Sequence, residues 1–375
     1  MGRMIPLSVP NMKGNELKYV TEAINTEWVS TAGAFITQFE KNIAEYLGMD
    51  DAVACQSGTA GLHLALQVCG VGYGDEVLVP TLTFIAAVNP VKYLGAEPVF
   101  MDCDDSLTMN VDKLRDFCEK ECEFSAGVLV NKTSHRKIKA VVVVHVFGNM
   151  ADMSAIMKMA EKYNLKVIED ATEALGTYNS EHRFAGTIGD IGVYSFNGNK
   201  IITTGGGGMI VSNSPELLEH CRHLSTQAKA DMLYFEHDEV GYNYRMTNLQ
   251  AALGIAQLEQ LENFIEIKKK NYERYCENGI NLLRFKEGLR PNYWFYSYTT
   301  SKRDQLIAEL QKEGIQSRPV WKLNHMQQMY INNQNYRIEK ALEYYEKIVN
   351  IPCSSNLSSE DVDYVSKMIR TIENV

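Results

Sequence analysis

A chain of 375 residues is long for a single core, so two domains or three are expected. The formal net charge is −10, and no Lys/Arg block exceeds Lys268-Lys269-Lys270. The basic footprint that nucleic acid or an anionic membrane surface requires is therefore missing, and a small-molecule partner is expected.

The amino terminus, Met1-Gly2-Arg3-Met4-Ile5-Pro6, shows no secretory apolar segment, and Pro6 stands where a myristoylation signal wants Ser or Thr. No apolar run reaches the roughly 18 residues of a membrane helix, so a soluble, cytoplasmic protein is expected. From about residue 50 to 212, short Val/Ile-rich runs at 52–55, 77–79, 99–101, 140–146, 167–168, 193–196 and 209–211 alternate with helical patterns. That alternation predicts a largely parallel sheet covered on both faces, with an active site beyond the carboxyl ends of its strands. His145, Asp170 and Ser195 fall at such ends. Thr247-Asn248-Leu249-Gln250 has the form of a capping box, and Leu249, Leu253 and Ala256 continue it with helical spacing. A long helix is expected from about 248 to 278, stopped by Gly279, bridging a large domain (1–247) to a smaller α/β domain (248–375). Within the latter, 294–300 predicts a strand, and 303–313 and 341–349 predict helices. Eight cysteines are scattered without a Cys-x-x-Cys pair, and Cys118/Cys122 lack a second ligand pair, so no metal site is expected.

Four features in this frame carry chemistry. Gln56-Ser57-Gly58-Thr59-Ala60-Gly61 lies between a strand and an apolar helix, where free amides, a hydroxyl and the positive end of a helix dipole converge on a site suited to phosphate. Alone, such a turn is more often a structural cap. Phe84, after the run 77–79, offers an aromatic face to a planar ring or to the core. Asp170 ends a strand that looks wholly buried, and a carboxylate there needs a partner or a capping role. Lys200, just before the glycines 205–208, carries an amine able to hold a carbonyl cofactor as a Schiff base.

The order and wording of Ser57-Gly58-Thr59-Ala60, Pro80-Thr81-Leu82-Thr83-Phe84, Glu169-Asp170-Ala171-Thr172-Glu173-Ala174-Leu175-Gly176, Ser195-Phe196-Asn197-Gly198-Asn199-Lys200 and Gly241-Tyr242-Asn243-Tyr244-Arg245-Met246 resemble the DegT/DnrJ-type nucleotide-sugar aminotransferases. The resemblance implies the aspartate aminotransferase-like fold (fold type I), pyridoxal 5'-phosphate (PLP) as cofactor of the large domain, and a homodimer with sites at the subunit interface. It implies that Lys200 holds PLP and later moves a proton, and that Asp170 pairs with the ring nitrogen. It places Glu173 at the ring hydroxyl, Gly58, Thr59 and Ser195 at the phosphate, and Phe84 on the ring. Asn243 would reach the phosphate of the neighbouring subunit's cofactor. Relatives with His at the lysine position are dehydratases; Lys200 puts this chain with the transaminases, and glutamate is the expected donor.

Ser195-Phe196-Asn197-Gly198-Asn199-Lys200 followed by Ile201-Ile202-Thr203-Thr204-Gly205 is similar to enzymes that aminate C4 of 4-keto-6-deoxy sugars. It is most similar to the branch making UDP-4-amino-4,6-dideoxy-N-acetylglucosamine for bacillosamine or legionaminic acid. A GDP-perosamine synthase-like enzyme is the first alternative, and a PLP-binding regulatory protein without turnover the second. Trp28, Thr31, Arg318, Trp321 and His325 are candidate substrate contacts.

Overall fold

The Val/Ile runs build one large sheet. A computed structural model describes residues 4–231 and 233–374; the targeting reading of Met1, Gly2 and Arg3 lies outside them. The strands are β1 (Val53–Cys55), β2 (Glu76–Pro80), β3 (Glu97–Met101), β4 (Cys122–Ser125), β5 (Val128–Asn131), β6 (Lys137–Val144), β7 (Lys166–Asp170), β8 (Ile191–Ser195) and β9 (Gly208–Val211). Their order is β1-β9-β8-β7-β6-β2-β3, parallel except for β9, which runs antiparallel to both β1 and β8. A hairpin, β4 with β5, joins the side of β6.

Alternate residues of each strand enter different cores, as the pleat requires. Val77, Val79, Val142 and Val144 pack with Leu64 and Leu66 of helix Gly58–Val68. Leu78, Val141, Val143 and Val167 pack on the opposite face with Leu114 and Phe117 of helix Val111–Lys120 and Ile156 of helix Met153–Tyr163. Side chains buried on both faces explain why the strands have continuous apolar runs rather than alternating ones.

β10 (Lys229–Asp231) and β11 (Glu236–His237) form a small hairpin. The capping box expected at Thr247 is present, with the Gln250 amide bonded to the Thr247 hydroxyl at 3.3 Å. The long helix expected beyond it is two helices, Asn248–Leu258 and Leu261–Glu277. The break coincides with Glu259, whose carboxylate accepts from Asn15 and from Tyr19 at 2.7 Å each and so ties the junction to helix Glu16–Asn25.

β12 (Tyr296–Thr299), β13 (Arg318–Pro319), β14 (Asn335–Tyr336) and β15 (Ile348–Ile351) complete the strands. β12, β15 and β13 form a separate antiparallel sheet with β15 in the middle, whereas β14 crosses back to extend the large sheet beside β3. The helix expected at 341–349 ends at Lys347, because Ile348, Val349 and Ile351 bury themselves as the central strand of the small sheet. Among the described residues no helix is long and apolar enough to cross a membrane, and no group of three His, Cys, Asp or Glu side chains could hold a metal ion.

Candidate active site

The carboxyl ends of β7 and β8, the start of helix Gly58–Val68 and the edge strand of the small sheet enclose a cavity of about 780 Å³. Its wall brings together Gly58, Thr59, Phe84, Asp170, Glu173, Ser195, Lys200, Arg318 and Trp321, nine of the residues singled out from sequence.

One end is built to receive an anion. Ser57, extended at φ −166°, caps the helix by accepting from the Ala60 amide at 3.1 Å. The earlier amides, at Gly58 and Thr59, have no intrahelical acceptor and open onto the cavity. A Cβ on Gly58 would lie 3.0 Å from Ser195 Cβ and from Thr172 Cγ2. Only glycine lets the turn come this close to those two hydroxyl-bearing side chains.

Lys200 follows a turn in which its amide donates to the Asn197 carbonyl at 3.0 Å. Its Nζ lies 3.8 Å from Glu173 Oε1 and 4.3 Å from the centroid of the Trp294 ring. Burial lowers the lysine's pKa, opposed by the charges of Glu173 and Asp170. Burial raises the pKa of Asp170, which is 3 % exposed and accepts from the Thr172 amide at 3.1 Å. Among the described residues Asp170 has no ion-pair partner within 4.0 Å. Burial also pushes Glu173 up to about 7, with Lys200 and the Phe147 amide, 2.9 Å from Oε2, pulling the other way.

His145 does not face the cavity chemistry directly. Its Nδ1 accepts from the Ala151 amide at 3.2 Å, so Nε2 carries the proton it donates to Glu169 at 2.7 Å. Glu169 accepts further from the amides of Gly186 and Ile188. This buried network, with the His145 amide bonded to the Asp170 carbonyl at 3.1 Å, fixes the strand end that presents Asp170.

Phe84 is 53 % exposed on the cavity wall, its ring 6.4 Å from Trp321, which packs 4.8 Å from Phe147. Four other candidates do not line the cavity. Asn243 is exposed, in a segment pinned by the Gln56 amide on the Tyr244 carbonyl at 2.7 Å and by Arg245 on Glu40. Trp28 is exposed beside Gly33 and Phe35 in a separate surface crevice, with Thr31 exposed in the same segment. His325 sits behind the wall, its Nδ1 2.7 Å from Thr81 Oγ1, and burial lowers its pKa.

Sequence reasoning did not find Trp294, Asn292 or Asn350. Trp294 lies under the Lys200 amine and donates from Nε1 to the Asn199 carbonyl at 2.8 Å. Asn292 is fully buried and donates to the carbonyls of Glu173 and Leu175 at 2.9 and 3.0 Å while accepting from the Trp294 amide at 3.0 Å. More than ninety residues separate Trp294 and Asn292 from Lys200 in the chain, and Asn350 lies farther still, so no local spacing signals their place at the site.

Residues 10–370 match the family model of the DegT/DnrJ/EryC1/StrS aminotransferases. The chain belongs to that family. It is 38 % identical to the GDP-perosamine synthase of Escherichia coli O157:H7, with 98 % of each chain covered. It is 32 % identical to a UDP-N-acetyl-3-dehydro-alpha-D-glucosamine 3-aminotransferase of Acidithiobacillus ferrooxidans, covering 88 % of this chain and 86 % of the other. A crystal structure of a family aminotransferase from Brucella abortus superposes with a TM-score of 0.89 at 29 % identity, with 96 % of each chain covered. The protein is thus a PLP-dependent sugar aminotransferase of the fold type I architecture expected from sequence. The residues present fit that cofactor. The open helix amides suit its phosphate, the buried carboxylate without an ion pair suits its ring nitrogen, and the cavity amine suits its carbonyl.

Proposed function

We propose that the enzyme moves an amino group from glutamate to C4 of a nucleotide-linked 4-keto-6-deoxy sugar, with UDP-2-acetamido-2,6-dideoxy-4-ketohexose as the acceptor. The transaminase chemistry is supported above all by one arrangement: the part-buried Lys200 amine 3.8 Å from Glu173, on a wall shared with Asp170, which has no ion pair among the described residues. PLP, when bound, supplies a carbonyl that accepts and returns amino groups and a ring that draws electrons from the reacting carbon.

Lys200 would hold the cofactor and, once displaced by an amino substrate, carry a proton to and from the reacting carbon. Its lowered pKa leaves more of the amine unprotonated near neutrality, as a general base requires. Asp170 would meet the protonated ring nitrogen, and the charge it would find there favours the ionised carboxylate that burial alone disfavours. Glu173 would contact the ring hydroxyl, Phe84 would cover the ring, and Gly58, Thr59 and Ser195 would hold the phosphate. Arg318 and Trp321 on the wall, and Trp28, Thr31 and His325 outside it, are the proposed substrate contacts. In a homodimer, Asn243 would reach the partner's phosphate site.

The UDP acceptor is supported by the wording of residues 195–205, similar to C4-specific enzymes of the bacillosamine and legionaminic acid branch. A GDP-linked acceptor is a second reading, favoured by 38 % identity across nearly the whole chain to a GDP-perosamine synthase. The test is 2-oxoglutarate release from glutamate with a panel of UDP-, GDP- and dTDP-linked ketosugars. Turnover confined to the UDP-linked 4-ketosugar is expected. Preference for a GDP-linked or 3-keto acceptor overturns the substrate assignment and leaves the aminotransferase intact.

A further inference from the structure

Three polar side chains stand in one row across the small sheet. Ser297 of β12 and Arg318 of β13 are both register partners of Asn350 in β15, and directly opposed residues of antiparallel strands project from the same face. That face is turned toward the active-site cavity, because Asn350 and Arg318 both line it.

Asn350 is only 5 % exposed, and its Oδ1 accepts from the Ser297 hydroxyl at 2.7 Å. With the oxygen engaged, the amide nitrogen is left as the free end of the side chain. Among the described residues it has no hydrogen-bond partner, yet it is not one of the unpaired atoms sealed inside the protein. It therefore opens onto the cavity. A buried donor held open in this way is costly unless something in the cavity accepts from it. The proposed cofactor contacts make no use of it, since phosphate, ring and carbonyl are all met by groups from the large sheet and its loops.

We infer that Asn350 is a substrate-binding residue: its Nδ2, aimed by Ser297 and in register with Arg318 on the same cavity wall, donates to an anionic oxygen of the substrate. A guanidinium next to an amide N–H offers adjacent donors to the paired oxygens of a carboxylate or phosphate. Two reactants carry such oxygens, the amino donor in its carboxylates and the nucleotide sugar in its diphosphate. The inference rests on the transaminase reading and adds to it a specificity residue from the small sheet.

The experiment uses the PLP-loaded enzyme and two direct binding titrations, of 2-oxoglutarate and of UDP or GDP, followed by the fluorescence of the cavity tryptophans Trp294 and Trp321. Asn350→Asp keeps the shape but replaces the donor with a negative charge. Affinity for one of the two ligand types is expected to fall ~tenfold or more, with cofactor content and visible spectrum unchanged. Ser297→Ala leaves the amide in place but frees it to turn, and should weaken the same ligand by about two- to fivefold. Selective loss of 2-oxoglutarate binding, with a slower glutamate half-reaction, identifies the amino donor's carboxylate; selective loss of the nucleotide identifies the diphosphate. Unchanged affinity for both in Asn350→Asp, or equal loss of both together with PLP, overturns the inference. If Asn350→Asp does not fold, Ser297→Ala decides: wild-type affinity for both ligands overturns the inference, and selective loss supports it. Both titrations are independent of turnover, so absence of wild-type activity with every ketosugar would sink the proposed acceptor separately.

Discussion

Burial pushes the cationic and anionic groups of this site toward neutrality from opposite directions, lowering the pKa of Lys200 and raising those of Asp170 and Glu173. Asp170→Asn keeps the size and the Thr172 contact but removes the charge that would hold a proton on the ring nitrogen. Proton transfer with glutamate, followed in single turnovers, should slow on the order of a hundredfold or more, while PLP content changes little. A near-wild-type rate would make Asp170 only a local cap. Glu173 gives a pH signature. Its pKa rises from 4.5 to about 7 on folding, so between those values the native state binds more protons than the unfolded chain, and stability falls as pH rises through the window. The penalty is full above pH 7 and absent below the unfolded value, and a shift of two to three units corresponds to about 3 kcal/mol. In cofactor-free protein, Glu173→Gln should therefore gain thermal stability over wild type progressively from pH 5 to 8, as read by calorimetry. A gap constant across that range would show that Lys200 keeps the carboxylate ionised throughout.

At the scale of elements, the strand ends are placed by close backbone packing, and glycine permits it. A Cβ on Gly208, in β9, would lie 2.8 Å from the Ser57 carbonyl carbon and from the Tyr194 oxygen, and 2.9 Å from the Gly58 amide nitrogen. All three contacts are backbone, so nothing can rotate aside. Gly208→Ala should push the phosphate turn outward and destabilise the protein by about 1–3 kcal/mol, with weaker PLP binding in equilibrium dialysis. Unaltered PLP affinity would separate the turn from the phosphate site. The same packing explains what the sequence disclosed. Val/Ile runs buried on both faces mark β2, β3, β6 and β7 plainly. The β4–β5 hairpin was silent because Glu123, Phe124 and Ser125 are exposed and follow no strand pattern. The break near Glu259 coincides with bonds to partners some 240 residues away, Asn15 and Tyr19, and no local signal foretells it. The site divides similarly. Asp170 and Ser57 stand at ends of legible elements and Lys200 in the loop between β8 and β9, just before a visible glycine run, whereas Asn292 and Asn350 matter only through contacts made where the small sheet meets the large one.

At the scale of the whole molecule, we propose a large cofactor-holding domain over 1–247 and, over 248–375, an interdomain pair of helices with a small domain. The chain laces the two together, since β14 pairs with β3, and Ile5 bridges to Ile315. The Asn243 segment is anchored to the phosphate turn through the Gln56 amide and Tyr244 carbonyl, and to helix Ala34–Leu47 through Arg245 on Glu40, yet Asn243 itself is exposed and off the cavity wall. An exposed side chain anchored beside one phosphate turn but off that cavity's wall is available to a partner subunit. We propose a two-fold dimer in which each Asn243 completes the partner's site. Lys200→Ala and Asn243→Ala homodimers should each lose most activity. Mixed and allowed to exchange subunits, they form heterodimers in which one of the two sites carries both native residues. Random exchange makes half of all dimers hybrid, so about a quarter of all sites, and roughly a quarter of wild-type activity, should return. Recovery is to be measured as 2-oxoglutarate release after exchange is verified by mass spectrometry of the intact dimers. Confirmed heterodimers without recovered activity would place Asn243 in its own subunit's site, and an active Asn243→Ala homodimer would place it outside the catalytic machinery.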